Sequence, residues 1–147
     1  MYKRILVPLD GTPNDNIVLE HVKDLARQHR AELTLLQLYR IMKADEPFMK
    51  RVQMEIGSLG YQAKQKAEAY LAEREDSMKK EGFEVSGIFL VVEDPEADAI
   101  VKYAEENGFD LIALTNQERG GISRWFFGNI EERVRRRSSL PVLFVSK

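Results

Sequence analysis

The sequence contains no cysteine, and this absence removes several classes of chemistry at once. Without thiols there can be no disulfides, no thiolate nucleophiles and no Cys-ligated zinc or iron–sulfur sites. A chain without disulfides suits a reducing compartment, so we expect a cytoplasmic protein. The apolar run that follows Lys3 and Arg4 is already interrupted at Pro8, so we expect no signal peptide.

An excess of charge of one sign and long apolar runs are also missing. The 22 basic and 24 acidic residues nearly cancel, which leaves a net charge of −2. Such a balance provides no bulk attraction to nucleic acid or to anionic lipid. No apolar run approaches the roughly 18 residues of a membrane-spanning helix. We therefore expect no nucleic acid and no membrane among the partners, and the length of 147 residues predicts a single domain over 1–147.

The usual sequence signatures of catalysis and phosphate binding are absent as well. There is no Gly-x-Ser-x-Gly elbow, no Gly-x-x-x-x-Gly-Lys-Ser/Thr loop and no Gly-x-Gly-x-x-Gly turn. The two histidines, His21 and His29, are eight residues apart on one predicted helix, which is too far for a tight metal pair. We interpret His21 as partly buried and His29 as a surface residue. These features predict no catalytic residue, no metal site and no robust catalysis.

Apolar runs alternate with segments of helical periodicity along the chain. The predicted strands cover residues 5–9, 33–39, 83–92, 109–114 and 141–145. The predicted helices cover about 13–30, a long charged stretch marked by residues 63–78, the stretch between Pro95 and Gly108, and about 129–139. Unbroken apolar strands that alternate with helices indicate an α/β fold, with a parallel sheet covered on both faces.

Helix starts and one ambiguous segment complete the local predictions. Thr12 is the predicted N-cap of the first helix, and Asp15 is expected near its positive end. Asp94, directly before Pro95, is expected to cap the third helix in the same way. The segment 40–57 contains Pro47 and mixed charges, and we expect partial helix or a mobile flap there.

The topology indicates where a ligand would bind. In a doubly wound sheet, ligands bind beyond the carboxyl ends of the strands, at the point where the strand order reverses. The candidate segments are therefore 8–12, 38–40, 92–95 and 115–129. A phosphoacceptor site is disfavoured because Asp10 stands alone after the first strand and Asp15 lies beyond a turn. Acidic residues at the start of the third helix are interpreted as complements of its dipole, namely Glu93, Asp94, Glu96 and Asp98.

Two further runs have structural interpretations. Arginines crowd the end of the last predicted helix, at positions 133 and 135–137, where cations meet the negative end of the helix dipole. We interpret them as a solvated face paired with Glu131 and Glu132. The aromatic run 125–127 is interpreted as an anchor that holds the preceding loop on the core, with a partner-binding surface as the alternative.

Several of these segments together resemble one known family. Residues 5–12, which read ILVPLDGT, resemble the opening of universal stress proteins. Residues 109–114, 128–134 and 140–145, which read FDLIAL, GNIEERV and LPVLFV, resemble the C-terminal half of that family. The resemblance implies a doubly wound five-stranded parallel sheet of strand order 3-2-1-4-5, of the adenine-nucleotide alpha-hydrolase-like kind. It also implies a homodimer formed through the edge of the fifth strand, at Val142, Leu143, Phe144 and Val145.

The resemblance also bears on nucleotide binding. Members that bind ATP or AMP carry a loop of Gly, two residues, Gly, nine residues, Gly, and then Ser or Thr. When the last glycine is aligned on Gly128, the other three positions hold Thr115, Glu118 and Asn129. Glu118 would bring a negative charge toward the phosphates, where the family places a glycine whose amide can approach an anion. We therefore predict no tight ATP binding.

The residues that meet the adenine base in the family match this sequence better than the phosphate-binding loop does. The resemblance implies that Asp10 meets the base, and that Asn129 can still donate a hydrogen bond at a helix start. The complete set of residues implied for a nucleotide is Pro8, Leu9, Asp10, Thr12, Leu38, Gly128 and Asn129. Weak binding of AMP, ATP or adenosine is the corresponding expectation for a cofactor.

Three functions remain open on the sequence. The first is a homodimeric cytosolic stress-response regulator without robust catalysis. The second is an adenine-nucleotide sensor or slow ATPase that uses the cleft between the first and fourth strands. The third is a protein-partner binding module that acts through residues 125–127 and 40–57.

Overall fold

Strands and helices alternate along the chain, as the sequence predicts. The computed structural model describes residues 1–41, 47–115 and 130–146, and for residues 47–60 it describes the backbone. Each strand begins and ends within two residues of its predicted bounds. The elements in order are β1 (Arg4–Pro8), α1 (Asp15–His29), β2 (Glu32–Arg40), α2 (Pro47–Lys80), β3 (Val85–Val92), α3 (Glu96–Glu106), β4 (Leu111–Thr115), α4 (Ile130–Arg137) and β5 (Val142–Val145).

The strands form one five-stranded parallel sheet of order β3-β2-β1-β4-β5, which confirms the predicted fold class and strand order. β1 lies at the centre of the sheet, where Leu6 pairs with Thr34 of β2 and with Ile112 of β4. A central strand of a parallel sheet is covered on both faces, and this explains the unbroken apolar run of β1.

Each face of the sheet has its own apolar core, because successive side chains of a strand point to opposite faces. Ile5 and Val7 of β1 pack under α1 and α2, whereas Leu6 between them packs under α3 and α4. α1 contributes Val18 and Val22 to the first core, and all of these side chains are buried. The two cores hold the carboxyl ends of β1 and β4 in fixed positions.

β3 is an edge strand without charged residues or proline. It pairs with β2 along its whole length, and the described part of the chain supplies no strand on its other side. Its Val91 side chain is 56% exposed. Natural sheets usually protect such an edge with a charge, a proline or a bulge, and β3 has neither a charge nor a proline.

α2 is longer than the sequence predicts, and it confirms the partial helix expected within the segment 40–57. Within the segment 40–57, residues from Pro47 onward belong to one continuous helix of 34 residues, while 42–46 lie outside the described residues. Pro47 is the first helical residue, a position where the missing N–H is no loss. At 1.5 Å per residue the helix is about 50 Å long, whereas the eight residues of β3 span about 27 Å. α2 is therefore longer than the sheet that it covers.

The predicted caps of two helices are wrong, whereas the predicted stops are confirmed. α1 begins at Asp15, after Asn14, and Thr12 makes no cap because its hydroxyl donates instead to the Asp10 carboxylate. The residue before α3 is Pro95, and Asp94 makes no side-chain cap there. Gly82 and Gly108 follow helices with φ of +96° and +73°, a conformation that glycine adopts without steric cost.

Candidate functional site

The strand order reverses between β1 and β4, and the residues that follow these two strands meet at the carboxyl edge of the sheet. Asp10 follows β1, and Thr115 is the last residue of β4. The Thr115 hydroxyl donates to the carbonyl oxygen of Asn14, just before α1, at 3.3 Å. This hydrogen bond joins the end of β4 to the turn that follows β1.

The turn of residues 10–12 is closed by its own side chains. Asp10 Oδ1 accepts the backbone N–H of Thr12 at 2.9 Å and the Thr12 hydroxyl at 2.6 Å. Gly11 has φ of +81°, and a Cβ at this position would lie 3.1 Å from Gln37 Nε2 of β2. Position 11 therefore favours glycine on two grounds, backbone conformation and space.

A buried carboxylate lies directly behind this turn. Asp15 is only 2% exposed, and its Oδ1 and Oδ2 accept the backbone N–H groups of Asp10 and Gly11 at 3.1 and 2.9 Å. Oδ2 also accepts the hydroxyl of Tyr70, from α2, at 2.7 Å. Burial, aided by the negative charge of Asp10, raises the pKa of the Asp15 carboxyl to about 7, although the three hydrogen bonds act in the opposite direction. Asp15 lies in the first turn of α1, as the sequence predicts, but the expectation that Asp10 stands alone after β1 is wrong, because the Asp15 carboxylate folds back under it.

The predicted nucleotide-binding residues divide into three groups. Asp10 and Thr12 are half-buried, and their side chains lie in the turn at the carboxyl edge. Pro8 ends β1 and is buried, while Leu9 and Leu38 are buried in the cores on opposite faces of the sheet. Gly128 and Asn129 lie outside the described residues, as do Glu118 and the aromatic run 125–127.

Sequence reasoning did not find Tyr70 or Gln37 as parts of this region. Tyr70 marks the apolar face of a long helix, and nothing in its spacing indicates that its hydroxyl reaches the turn after β1. Gln37 lies within an apolar strand, is 7% exposed, and its Oε1 has no hydrogen-bond partner in the described part of the chain. A polar residue inside a buried strand was the available signal, since buried polar groups normally have partners.

The histidines lie elsewhere, and their burial is the reverse of the sequence interpretation. His21 is exposed, whereas His29 is half-buried and its Nδ1 accepts the backbone N–H of Tyr2 at 3.3 Å. His29 therefore lies near the amino edge of the sheet, opposite the turn of residues 10–12. Within residues 1–41, 47–115 and 130–146, no three His, Asp or Glu side chains are grouped so that they could hold a metal ion. Over the same ranges, no helix combines the length and the apolar character needed to cross a bilayer.

The arginines of α4 form ion pairs at the protein surface. Arg135 and Arg136 pair with Glu131 and Glu132 at 3.2 and 2.6 Å, which confirms the predicted pairing along the helix. Two more arginines reach across to α3, where Arg133 and Arg137 lie 3.3 and 2.9 Å from the carboxylate of Asp98. Asp98 therefore links the two helices that cover one face of the sheet.

This strand order defines a doubly wound α/β protein. Its candidate ligand site lies at the switch point, where polar residues lie at the ends of β1 and β4. The chain belongs to the universal stress protein family, whose family model matches residues 1–146. This confirms the resemblance that the sequence segments indicate.

Known members show the same fold over the full chain. Universal stress protein MJ0577 of Methanocaldococcus jannaschii is 29% identical over 158 aligned residues, covering 100% of this chain and 96% of the relative. A solved structure of the MJ0577 protein matches with a TM-score of 0.77 at 28% identity, covering 100% of this chain and 97% of that one.

Two other solved members contain adenine nucleotides. A universal stress protein in complex with cAMP has a TM-score of 0.67 and 24% identity, covering 99% of this chain and 97% of its own. The universal stress protein from Archaeoglobus fulgidus in complex with dAMP has a TM-score of 0.65 and 20% identity, covering 98% of each chain. At these identities the likeness shows a shared fold.

Proposed function

We propose that this chain is a cytoplasmic stress-response regulator that binds adenine nucleotides weakly and has no robust catalytic activity. The observation that carries the proposal is the ordered turn of Asp10 and Thr12 at the switch point between β1 and β4. Ligands of doubly wound proteins bind at this position of the fold. We further propose that residues 1–147 are one universal stress protein domain, which acts as a homodimer through β5.

Adenine monophosphates are the ligand class that the relatives favour. Both solved complexes of the same fold hold a nucleotide with one adenine and one phosphate. In this chain, Asp10 would contact the base at the exposed side of the turn, above the buried ends of β1 and β2. The other residues proposed for the site are Pro8, Leu9, Thr12, Leu38, Gly128 and Asn129.

A triphosphate meets a less favourable environment. By the family resemblance, Thr115 and Glu118 replace glycines whose backbone amides would approach the phosphates. A misplaced negative charge in a partly desolvated cleft costs on the order of a few kcal/mol, or about 100-fold in affinity. ATP should therefore bind no more tightly than AMP.

Titration calorimetry with ATP, ADP, AMP and adenosine tests the proposal. We expect weak binding of AMP and adenosine, which the Asp10→Ala variant loses. Asp24→Ala is the matched control, because Asp24 is an exposed carboxylate of α1 that pairs with Arg27. Phosphate release from ATP by the wild type should not exceed that by Asp10→Ala.

Two results would contradict this function. Submicromolar binding of ATP by the wild type would show that the phosphate side of the site is intact. Adenosine binding that survives Asp10→Ala unchanged would place the ligand elsewhere.

A Glu118→Gly variant separates two causes of weak ATP binding. A higher affinity for ATP alone indicates charge repulsion, whereas an equal increase in affinity for adenosine indicates that the shape of the loop is responsible.

A further inference from the structure

The turn that carries the proposed adenine contact is held from behind by a group outside it. The Asp15 carboxylate accepts both backbone N–H groups of Asp10 and Gly11, and it is tied in turn to α2 by the Tyr70 hydroxyl. We propose that Asp15 is a positioning residue of the switch-point site, and that its hydrogen bond with Tyr70 makes the anchoring of the 10–12 turn, and through it adenine binding, dependent on a proton. The part of this inference that concerns adenine rests on the proposed function.

Tyr70 is held firmly enough to act as a fixed partner. The next residue, Leu71, is buried against β3, where a Cβ added to Gly87 would lie 2.9 Å from the Leu71 Cβ. This close approach of helix and sheet fixes α2 at the level of Tyr70. The Tyr70 hydroxyl therefore reaches Asp15 from an element that cannot shift without disturbing the core.

The hydrogen-bond pattern around Asp15 is that of an ionised carboxylate. Its two oxygens accept three donors, namely two backbone N–H groups and one hydroxyl. A backbone N–H cannot reverse its role, so a proton on Oδ2 would need the Tyr70 oxygen as its acceptor. Tyr70 would then cease to donate, and Oδ2 would hold the Gly11 N–H less strongly. Protonation therefore loosens the turn.

The charged and titratable groups around Asp15 set where this change occurs. Asp10 in the turn opposes the negative charge of Asp15, while Tyr70 of α2 stabilises it by donating a hydrogen bond. Arg74 of α2 lies over the ring of Tyr70, 5.3 Å from its centre. Burial and the Asp15 charge raise the pKa of Tyr70, so its hydroxyl keeps its proton at neutral pH. With the pKa of Asp15 at about 7, the anchoring changes within the physiological range.

The consequence for adenine binding has a definite sign. If the ionised form of Asp15 holds the binding-competent turn, affinity falls as the pH drops through about 7. The expected loss is about tenfold between pH 8 and pH 6, since the competent fraction falls in that proportion.

The test follows adenosine affinity from about pH 6 to about pH 8.5, together with the amide NMR shifts of Asp10 and Gly11 in the ligand-free protein. Adenosine is the probe because the phosphate of AMP itself titrates near pH 6. In the wild type, the adenosine affinity and the two amide shifts should change with the same midpoint pH. Asp15→Asn should give a pH-independent affinity, no higher than that of the wild type at low pH, because the Nδ2 of asparagine cannot accept the second backbone N–H.

Tyr70→Phe is a second variant, and it tests the proposal even if Asp15→Asn does not fold. Loss of the hydroxyl removes a hydrogen bond that lowers the pKa of Asp15, so the midpoint should move to higher pH. Tyr61→Phe is the matched control, because Tyr61 lies on the same helix and is exposed, and it should behave as the wild type.

The outcomes separate this inference from the proposed function. Amide shifts of Gly11 that do not titrate near neutral pH, or a midpoint that Tyr70→Phe leaves unchanged, would overturn the proton-dependent anchoring. Titrating amides with adenosine affinity that is constant with pH would overturn its link to binding. If the amides titrate but adenosine binds at no pH, the anchoring is supported and the proposed function fails.

Discussion

Asp15 is a carboxyl group in surroundings that favour its neutral form, and this affects stability as well as position. In the unfolded chain it titrates near 3.8, whereas in the folded protein its pKa is about 7. Between these two pH values the unfolded chain has released the proton and the folded protein still holds it. The free energy of unfolding therefore falls as the pH rises through this window, by an amount on the order of a few kcal/mol.

Asp15→Asn should remove this dependence. Asparagine does not titrate, but its Nδ2 only donates, so it can accept one of the two backbone N–H groups of Asp10 and Gly11. The variant should therefore be less stable than the wild type near pH 4, by about 1–3 kcal/mol. Between pH 4 and pH 8 the difference should shift in favour of the variant by on the order of a few kcal/mol, because only the wild type loses stability there. Urea denaturation at several pH values checks this difference. A stability difference between the two proteins that stays constant from pH 4 to pH 8 would contradict the raised pKa of Asp15.

Gly87 is a residue whose lack of a side chain lets helix and sheet approach each other. In Gly87→Ala the new Cβ would meet the Cβ of Leu71 at 2.9 Å, so α2 must shift. We expect a loss of about 1–3 kcal/mol of unfolding free energy, as for other overpacked cores. Ser86→Ala is the control, because Ser86 is exposed on the same strand, and its hydroxyl makes only a long contact, 3.5 Å, with that of Thr34, so its loss should change stability little. Equal stability of Gly87→Ala and the wild type would contradict the close packing.

At the scale of elements, the salt links of Asp98 hold α3 and α4 together. Arg133 and Arg137 both reach this carboxylate, which also lies in the first turn of α3, where a negative charge is favourable. Asp98→Asn should lower the unfolding free energy by about 1 kcal/mol, and high salt should reduce the loss.

Glu132→Gln is the matched control for this prediction. Its pair with Arg136 has a shorter distance, 2.6 Å, but both side chains are more exposed. We expect a loss of a few tenths of a kcal/mol there, because water screens exposed pairs. Thermal unfolding of both variants at low and high salt provides the comparison, and equal losses would argue against a special role of Asp98.

The elements differ in how far the sequence could predict them. The central strand was predictable because burial on both faces leaves an apolar run that nothing else explains. The helix starts were not, since Thr12 has two competing partners, the end of α1 and the Asp10 carboxylate, and spacing alone does not show which one it binds. The segment 40–57 left partial helix and a mobile flap open, because a proline among mixed charges does not show where a helix begins, although proline suits the first position of one.

The position of the candidate site could be predicted from the sequence, whereas the residues that hold its turn in place could not. The carboxyl edge between β1 and β4 follows from the topology, so Asp10 and Thr12 could be named from the sequence. The contact between Tyr70 and Asp15 joins residues far apart in the chain, and it depends on how α2 lies across the sheet. Such a contact becomes visible only when the tertiary structure is known.

At the scale of the whole molecule, β5 is the edge through which we expect two copies to pair. Its four residues are apolar and half-exposed, and a two-fold pairing of two such edges closes without further growth. Leu143→Lys should place a charge in this interface and yield monomers or insoluble protein. Sedimentation velocity at micromolar concentration measures the change against the wild type.

Val91→Lys is the matched control, since it places the same charge on the opposite edge of the sheet. This variant should remain dimeric if β5 forms the interface. A wild type that is already monomeric at micromolar concentration would exclude the β5 dimer. Dissociation by Val91→Lys, with Leu143→Lys still dimeric, would assign the interface to β3.

Pairing through β5 also determines which strands form the two outer edges of the dimer's sheet. Two five-stranded sheets joined there form one continuous sheet with a β3 strand at each end. Both ends would present eight residues without charge or proline, a surface on which extended chains can be added. In such a dimer, this strand, at the opposite edge of the sheet from the dimer contact, would govern how the protein associates at high concentration.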